Sequence, residues 1–380
     1  MTPATSVRPA IAPVSLRRGP ARVSELDGLR GIAILMVLAF HFTPSAGPLH
    51  PFAHVFQAGW IGVDLFFVLS GFLITGILMD SAGQPHYYRN FFVRRSLRIF
   101  PLYYACLLLY AWLTFYPGAI HWSDYLTPGD ARWYLFYVGN FRAFFRNAWP
   151  GAAMLTPLWS LQVEEQFYWS FPFVVAMTRR RTLARILLAS VLVALLLRLI
   201  LALALPANLV GNYVLMPCRM DALAMGGLVA YAARQKPEWL KNRWIAPLTL
   251  LCGAVFLGIC ILSSEAPWSF SMRTFGYTAL DLAFTGVLVL LIGRRPQSLL
   301  KLCRWGVLTW LGTISYGLYL LHIPAMTVVD RWIAPALHLA SRGSAAFFVA
   351  FAVAIAVASL SWVALESPIL RLKRRFAASS

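Results

Sequence analysis

Apolar residues gather in ten runs of bilayer-spanning length, at roughly 28–44, 58–79, 100–117, 158–178, 183–205, 214–233, 244–262, 272–292, 306–327 and 345–367. Polar and mostly basic stretches separate them. Each run predicts a transmembrane helix, because a backbone in hydrocarbon must satisfy its amides within its own segment. The pattern therefore predicts an all-α polytopic membrane protein, about ten helices in one bundle. The exceptions inside the runs then carry the information. In the first, DGLRGIAILMVLAFHF, Arg30 and His41 stand eleven residues apart. At about 100° and 1.5 Å per residue they share one helix face about 16 Å apart.

Composition excludes the soluble classes: 59% of residues are hydrophobic, 12% are charged and the mean hydropathy is +0.67. The basic residues orient the bundle. With the N-terminus inside, the inner segments hold 24 of the 33 Lys and Arg residues and the outer segments six (Arg132, Arg142, Arg146, Arg273, Arg331 and Arg342). Ten crossings with both termini cytoplasmic follow from that bias. The net charge of +19 then needs no nucleic acid, because topology and anionic headgroups suffice. Residues 1–25 read as a basic disordered tail with no apolar segment of a cleavable signal, and 371–380 as a second basic tail. Cys106, Cys218, Cys252, Cys260 and Cys303 lack metal-ligand spacing and read as packing residues, so no metal is expected. The outer loop at about 118–157 carries Trp122, Trp133, Tyr134 and Trp149, either as sugar-stacking faces or as interfacial anchors.

Polar positions recur in blocks. GWIGVDLFFVLSGFLI contains Asp64 and Ser70. In RRSLRIFP, Arg94, Arg95 and Arg98 are spaced three and four apart, an arrangement that repels itself on a helix unless an anion lies nearby. The same arginines would also serve as a positive-inside anchor. PLWSLQVEEQFYWSFP carries Trp159, Ser160, Glu164 and Glu165, and each carboxylate in such a helix costs roughly 2–3 kcal/mol. At least one must be neutralised or paired. Arg219 and Asp221 diverge on a helix and need separate partners. Ser315, Tyr316 and His322 lie in ISYGLYLLH, and Glu366 precedes Pro368 near the end.

Read together, R-x10-H at 30–41, G-W-x-G-V-D-x-F-F-V-L-S-G-F at 59–72, R-R-x-x-R-I-x-P at 94–101, L-W-S-L-x-V-E-E-Q-F-Y at 158–168, R-x-D at 219–221, I-S-Y-x-x-Y-L-x-H at 314–322 and E-x-P at 366–368 resemble the membrane-bound acyltransferase 3 family. The resemblance runs in order from about residue 24 to 370. It implies one transmembrane domain over 26–370 and transfer of an acyl group, usually acetyl, from cytoplasmic acyl-CoA to a hydroxyl. The acceptor would be a glycan such as a lipopolysaccharide or exopolysaccharide, a lipid or a small metabolite, at a bacterial inner membrane. The chain resembles the standalone form, without the C-terminal SGNH-hydrolase domain that some relatives carry.

Residue chemistry agrees with that implication. An attacking hydroxyl needs a base near neutral pH, for which His41 is the candidate. Arg30, Arg94, Arg95 and Arg98 suit the phosphates of CoA. Glu164 or Glu165 either assists His41 or pairs with Arg30 or Arg219. Asp64, Ser70, Trp159, Ser160, Arg219, Asp221, Tyr316, His322 and Glu366 serve either the acceptor or the packing. Acyl transfer is either direct or through an intermediate on His41 or Ser70. Two rivals stand beside the enzyme: a transporter or flippase for a lipid-linked sugar or acyl donor, and an inactive relative that senses or binds.

Overall fold

The computed structural model describes residues 24–115, 128–150, 153–262, 268–293 and 296–372. The tails expected at 1–25 and 371–380 fall largely outside that set, as does Trp122. Eleven long or site-forming helices organise the bundle: α1 (Ser24–His41), α2 (Gly62–Ser81), α3 (Tyr87–Phe115), α4 (Leu158–Met177), α5 (Arg180–Ala204), α6 (Met216–Gln235), α7 (Ile245–Leu262), α8 (Tyr277–Ile292), α9 (Gly306–Thr313), α10 (Ser315–Val328) and α11 (Ser344–Ser361). Each of the ten predicted runs is helical over most of its length.

By length and apolarity, six stretches among the described residues can cross a bilayer: His50–Ser81, Arg180–Ala204, Gly211–Gln235, Ile245–Leu262, Met272–Ile292 and Ser344–Leu372. A seventh arises if Gly306–Thr313 and Ser315–Ala336, which meet at 76°, form one broken span. The runs in α1, α3 and α4 are less apolar, because they carry Asp27 and Arg30, Arg94 to Arg98, and Glu164 and Glu165. Peripheral helices differ visibly from these: α5 exposes Leu188, Leu192, Leu196 and Leu203, and α7 exposes Leu250, Leu257 and Ile261. Those side chains are hydrocarbon-facing in a multi-pass membrane protein.

Two features differ from the sequence expectation. The helix expected from about residue 100 begins at Tyr87, so Arg89 to Arg98 form the opening turns of α3, whose 29 residues measure about 43 Å. That exceeds the roughly 30 Å of hydrocarbon, so a basic end can stay helical and still leave the apolar layer. The run at 306–327 is not one helix. It breaks at Ile314 (φ −92°, ψ 7°), where Thr313 Oγ1 donates to the Thr309 carbonyl (2.8 Å) and Ser315 Oγ to the Gly312 carbonyl (2.9 Å). The Ser315 hydroxyl satisfies a carbonyl that the break would otherwise leave bare in lipid.

Glycine sets the central packing. The α-carbon of Gly226 on α6 abuts the Val68 carbonyl of α2, and that of Gly71 on α2 abuts the Leu223 carbonyl of α6, so a methyl at either would collide with backbone. Pro324 inside α10 frees the carbonyl four residues back. That oxygen, on Leu320, accepts from Tyr110 Oη at 3.1 Å. The core thus tolerates a kink because α3 repairs it.

Candidate active site

Helices α2, α3, α4 and α10, with Arg30 from α1, enclose a cavity of about 760 Å³, its open mouth included. Arg30, Arg95 and Arg98 converge on it with Ser70, Ser160, Glu164, Tyr168, Ser315, Tyr316 and Tyr319. Among the described residues Arg95 and Arg98 form no ion pair, and Arg30 stands 3.9 Å from Asp27. Arg95 lies over the Tyr168 ring at 5.3 Å. The break at Ile314 adds to this field, because Ser315 and Tyr316 bring the first turn of α10 to the wall. The positive end of a broken helix inside a bundle favours an anion. Arg94 faces elsewhere: it lines an adjoining hollow of about 500 Å³ with Asn90 and Tyr87, and Arg95 borders both spaces.

Glu164 is held in the cavity by a short relay. Tyr168 Oη donates to Glu164 Oε2 (2.9 Å) and lies 2.5 Å from Ser70 Oγ, which supplies the proton to the phenol oxygen. Its charged neighbours are Arg30 and Arg95. Adjacent Glu165 points about 100° away, and its surroundings are Arg95, Trp169, Tyr103 and Tyr137. The two carboxylates therefore occupy different environments, and neither contacts His41.

At the far end Tyr319 closes the space: its hydroxyl donates to the Pro157 carbonyl (3.0 Å) and meets Ser160 Oγ at 2.5 Å. Behind it stands His322, ring centroids 5.9 Å apart. His322 in turn meets His41, with centroids 4.7 Å apart and His322 Nε2 3.3 Å from His41 Nδ1. His41 is partly exposed while His322 is fully buried. Arg342, paired with Asp330 (3.1 Å), donates to the His41 carbonyl (3.1 Å) and so fixes the end of α1. Arg30 and His41 thus mark opposite ends, one lining the cavity and the other just past its Tyr319 wall.

Apart from Tyr316, which lines the cavity, the remaining sequence candidates are elsewhere. Arg219 on α6 pairs with Asp64 on α2, inside a cage of Tyr277, Tyr213 and Phe67 with the guanidinium carbon 4.3 Å from the Tyr277 centroid. Asp221 pairs with Arg198 on α5 at 2.7 Å, and Thr278 Oγ1 donates to it at 3.0 Å. Asp281 lies close enough to feel these charges, and all five groups are fully buried. Trp159 packs on Phe67 and Tyr213. The Glu366 carboxylate accepts from Ser361 (3.2 Å), held there by a π-helical turn over Trp362–Glu366. Tyr316 donates to the Ile99 carbonyl (2.6 Å). Trp149 packs between Tyr213 and Trp268 and Tyr134 is buried, which makes both packing aromatics.

Sequence reasoning singled out neither Tyr168 nor Tyr319, and it gave Arg198 and Asp281 no role. The last two carried a signal, a lone charge within an apolar run. The tyrosines are letters of the family blocks at 158–168 and 314–322 but carried no physical signal of their own, because hydroxylated aromatics are ordinary in membrane helices.

Residues 23–363 match a family model described as an acyltransferase domain, Acyl_transf_3. YrhL of Bacillus subtilis (strain 168) is 31% identical over 324 residues, 80% of this chain and 49% of its own. OatA of Listeria monocytogenes, named a peptidoglycan O-acetyltransferase, is 28% identical over 377 residues, 91% of this chain and 56% of its own. OatA of Staphylococcus aureus (strain NCTC 8325 / PS 47), named an O-acetyltransferase, is 26% identical over 338 residues, 82% of this chain and 52% of its own. The chain spans about half the length of these relatives. No solved structure matches it. With the family model covering the whole helical bundle from α1 into α11, the chain belongs to the membrane-bound acyltransferase 3 family.

Proposed function

We propose that this protein transfers an acyl group, acetyl in the simplest case, from cytoplasmic acyl-CoA to a hydroxyl of a cell-envelope glycan at the bacterial inner membrane. The observation that carries the reading is the polarity of the cavity: three arginines and the start of α10 at one side, and the His41 pair behind Tyr319 at the other. In this reading ten helices cross the membrane with both termini cytoplasmic, so the arginines open inward and His41 outward. Arg30, Arg95 and Arg98 hold the donor phosphates, and Arg94 in the adjoining hollow receives its nucleotide end. A pantetheine arm reaches roughly 15–20 Å when extended, which matches the span of about 16 Å from Arg30 to His41. The relatives' names make peptidoglycan the first acceptor to test, with lipopolysaccharide and exopolysaccharide beside it.

Chemically, His41 takes the proton of the acceptor hydroxyl while its oxygen bonds to the thioester carbonyl carbon. The tetrahedral adduct collapses with cleavage of the carbon–sulfur bond, and the proton passes from His41 to the leaving sulfur. An ester and a free thiol result, and His41 returns to its neutral form. No metal enters the scheme.

The test is transfer of label from radiolabelled acetyl-CoA into the glycan and lipid fractions of membranes bearing the protein or its His41→Ala variant. Label that depends on His41 and enters the glycan is the expected result, with a loss of at least about 10²-fold in the variant. Equal label in both would place the base elsewhere. Donor binding without any transfer would favour a transporter.

A further inference from the structure

The two imidazoles are held by hydrogen bonds that fix which nitrogens carry protons. His322 Nδ1 lies 2.8 Å from the Tyr319 carbonyl and 3.2 Å from that of Leu318. Carbonyl oxygens only accept, so this nitrogen is an N–H and Nε2 of neutral His322 keeps its lone pair. His41 Nδ1 lies 2.9 Å from the Val37 carbonyl, which makes it an N–H by the same argument. That proton is shared with His322 Nε2 at 3.3 Å. Among the described residues His41 Nε2 has no hydrogen-bond partner, whereas both nitrogens of fully buried His322 are engaged.

We infer that His322 is a positioning residue: the Val37 carbonyl fixes the His41 tautomer that leaves Nε2 bare for the reaction, and His322 Nε2 orients the ring and accepts from its Nδ1–H as positive charge develops. This rests on the reading of His41 as the base and settles which ring plays which part. His322 has no nitrogen left for a substrate. When Nε2 of His41 takes the hydroxyl proton, the imidazolium keeps two acceptors at Nδ1, the Val37 carbonyl and the His322 lone pair. When Nε2 returns that proton to the leaving sulfur, the pair recovers its starting state.

Catalytic histidines in water-filled sites usually lean on a carboxylate for this task. Here, among the described residues, the one charged group near the His41 ring is Arg342, which is engaged by Asp330 and the His41 carbonyl. A neutral acceptor suits the location, because a carboxylate would add a second ion to a membrane helix. The long 3.3 Å contact fits a resting state, since such bonds shorten when charge appears.

The experiment compares His322→Leu and His322→Gln with wild type and His41→Ala in the full chain. Permeabilised membrane vesicles are supplied with radiolabelled acetyl-CoA, and label is read in the isolated glycan. Acetyl-CoA binding serves as the check on folding. Leucine removes the acceptor, while glutamine returns an oxygen near the position of Nε2. We expect His322→Leu to lower kcat about 30- to 100-fold, the usual effect of losing a partner that orients an active-site histidine. KM for acetyl-CoA should stay within about twofold, and His322→Gln should recover most of the lost rate. Wild-type kcat in His322→Leu, or equal losses in both variants, overturns the inference while leaving His41 as the base. Full activity in His41→Ala, or no transfer by wild type, instead removes the reading beneath it.

Discussion

Two groups of buried charge sit back to back in this bundle, with Phe67 between them. On one side Asp64, Arg198, Arg219, Asp221 and Asp281 are fully buried, and Asp64 and Asp221 each hold an arginine of another helix. On the other, Arg30, Arg95, Arg98 and Glu164 line open space, and arginines outnumber carboxylates. Phe67 belongs to both, since it lines the cavity and lies 5.9 Å from the Arg219 guanidinium. The difference teaches that an ion in a membrane helix is not by itself a mark of function. A buried carboxylate closed on an arginine of another helix fastens the two, whereas surplus charge facing a void is arranged for something that arrives.

The comparison breaks first at its closed side. Asp64→Ala leaves Arg219 buried without its carboxylate and should cost about 3–5 kcal/mol, read as a collapse in thermal stability of the purified protein. Donor binding per folded molecule should not change. Replacing both partners, Asp64→Leu with Arg219→Met, should recover much of that loss, because a buried pair is worth little against well-packed apolar side chains. A stable Asp64→Ala protein with poor donor binding would move this pair into the site.

The open side should respond in the opposite sense. Arg98→Ala is expected to leave thermal stability within about 0.5 kcal/mol and to weaken acetyl-CoA binding about tenfold, most strongly at low salt. Binding that ignores both the substitution and the salt would return Arg98 to a topological role. The smallest effect belongs to Glu164→Gln. It keeps an acceptor for Tyr168 and removes the negative charge in the cavity, so donor affinity should rise roughly two- to threefold at low salt by the same screening argument. A fall would mean that Glu164 itself receives part of the ligand.

The sequence made some of this legible and hid the rest for physical reasons. Arg30, Glu164 and the basic cluster stood out because charge in an apolar run is costly wherever it points. That cost is the same for Arg198 and Asp281, so cost alone could not separate a fastener from a binding group. Adjacent Glu164 and Glu165 share Arg95, yet one step of about 100° gives Glu164 the cavity with Arg30 and Tyr168 and gives Glu165 Trp169, Tyr103 and Tyr137. The break at Ile314 was invisible because apolarity continues through it, and only Ser315 hinted at backbone needing repair. Ser315 and His322, seven residues apart, share a helix face by spacing but lie two turns apart, so one reaches the cavity and the other passes behind Tyr319.

The contact of Tyr319 with Ser160 and Pro157 has an electrical consequence. A bacterial inner membrane sustains a voltage, and each elementary charge that crosses it is worth about 2.3 kcal/mol per 100 mV. A passage wide enough for the whole donor would short-circuit that gradient. In the proposed reaction the phosphates remain on the inner side, and what passes the tyrosine is the uncharged arm with its acyl, which withdraws as a neutral thiol. The transfer step would therefore run at the same rate in an energised and a depolarised cell.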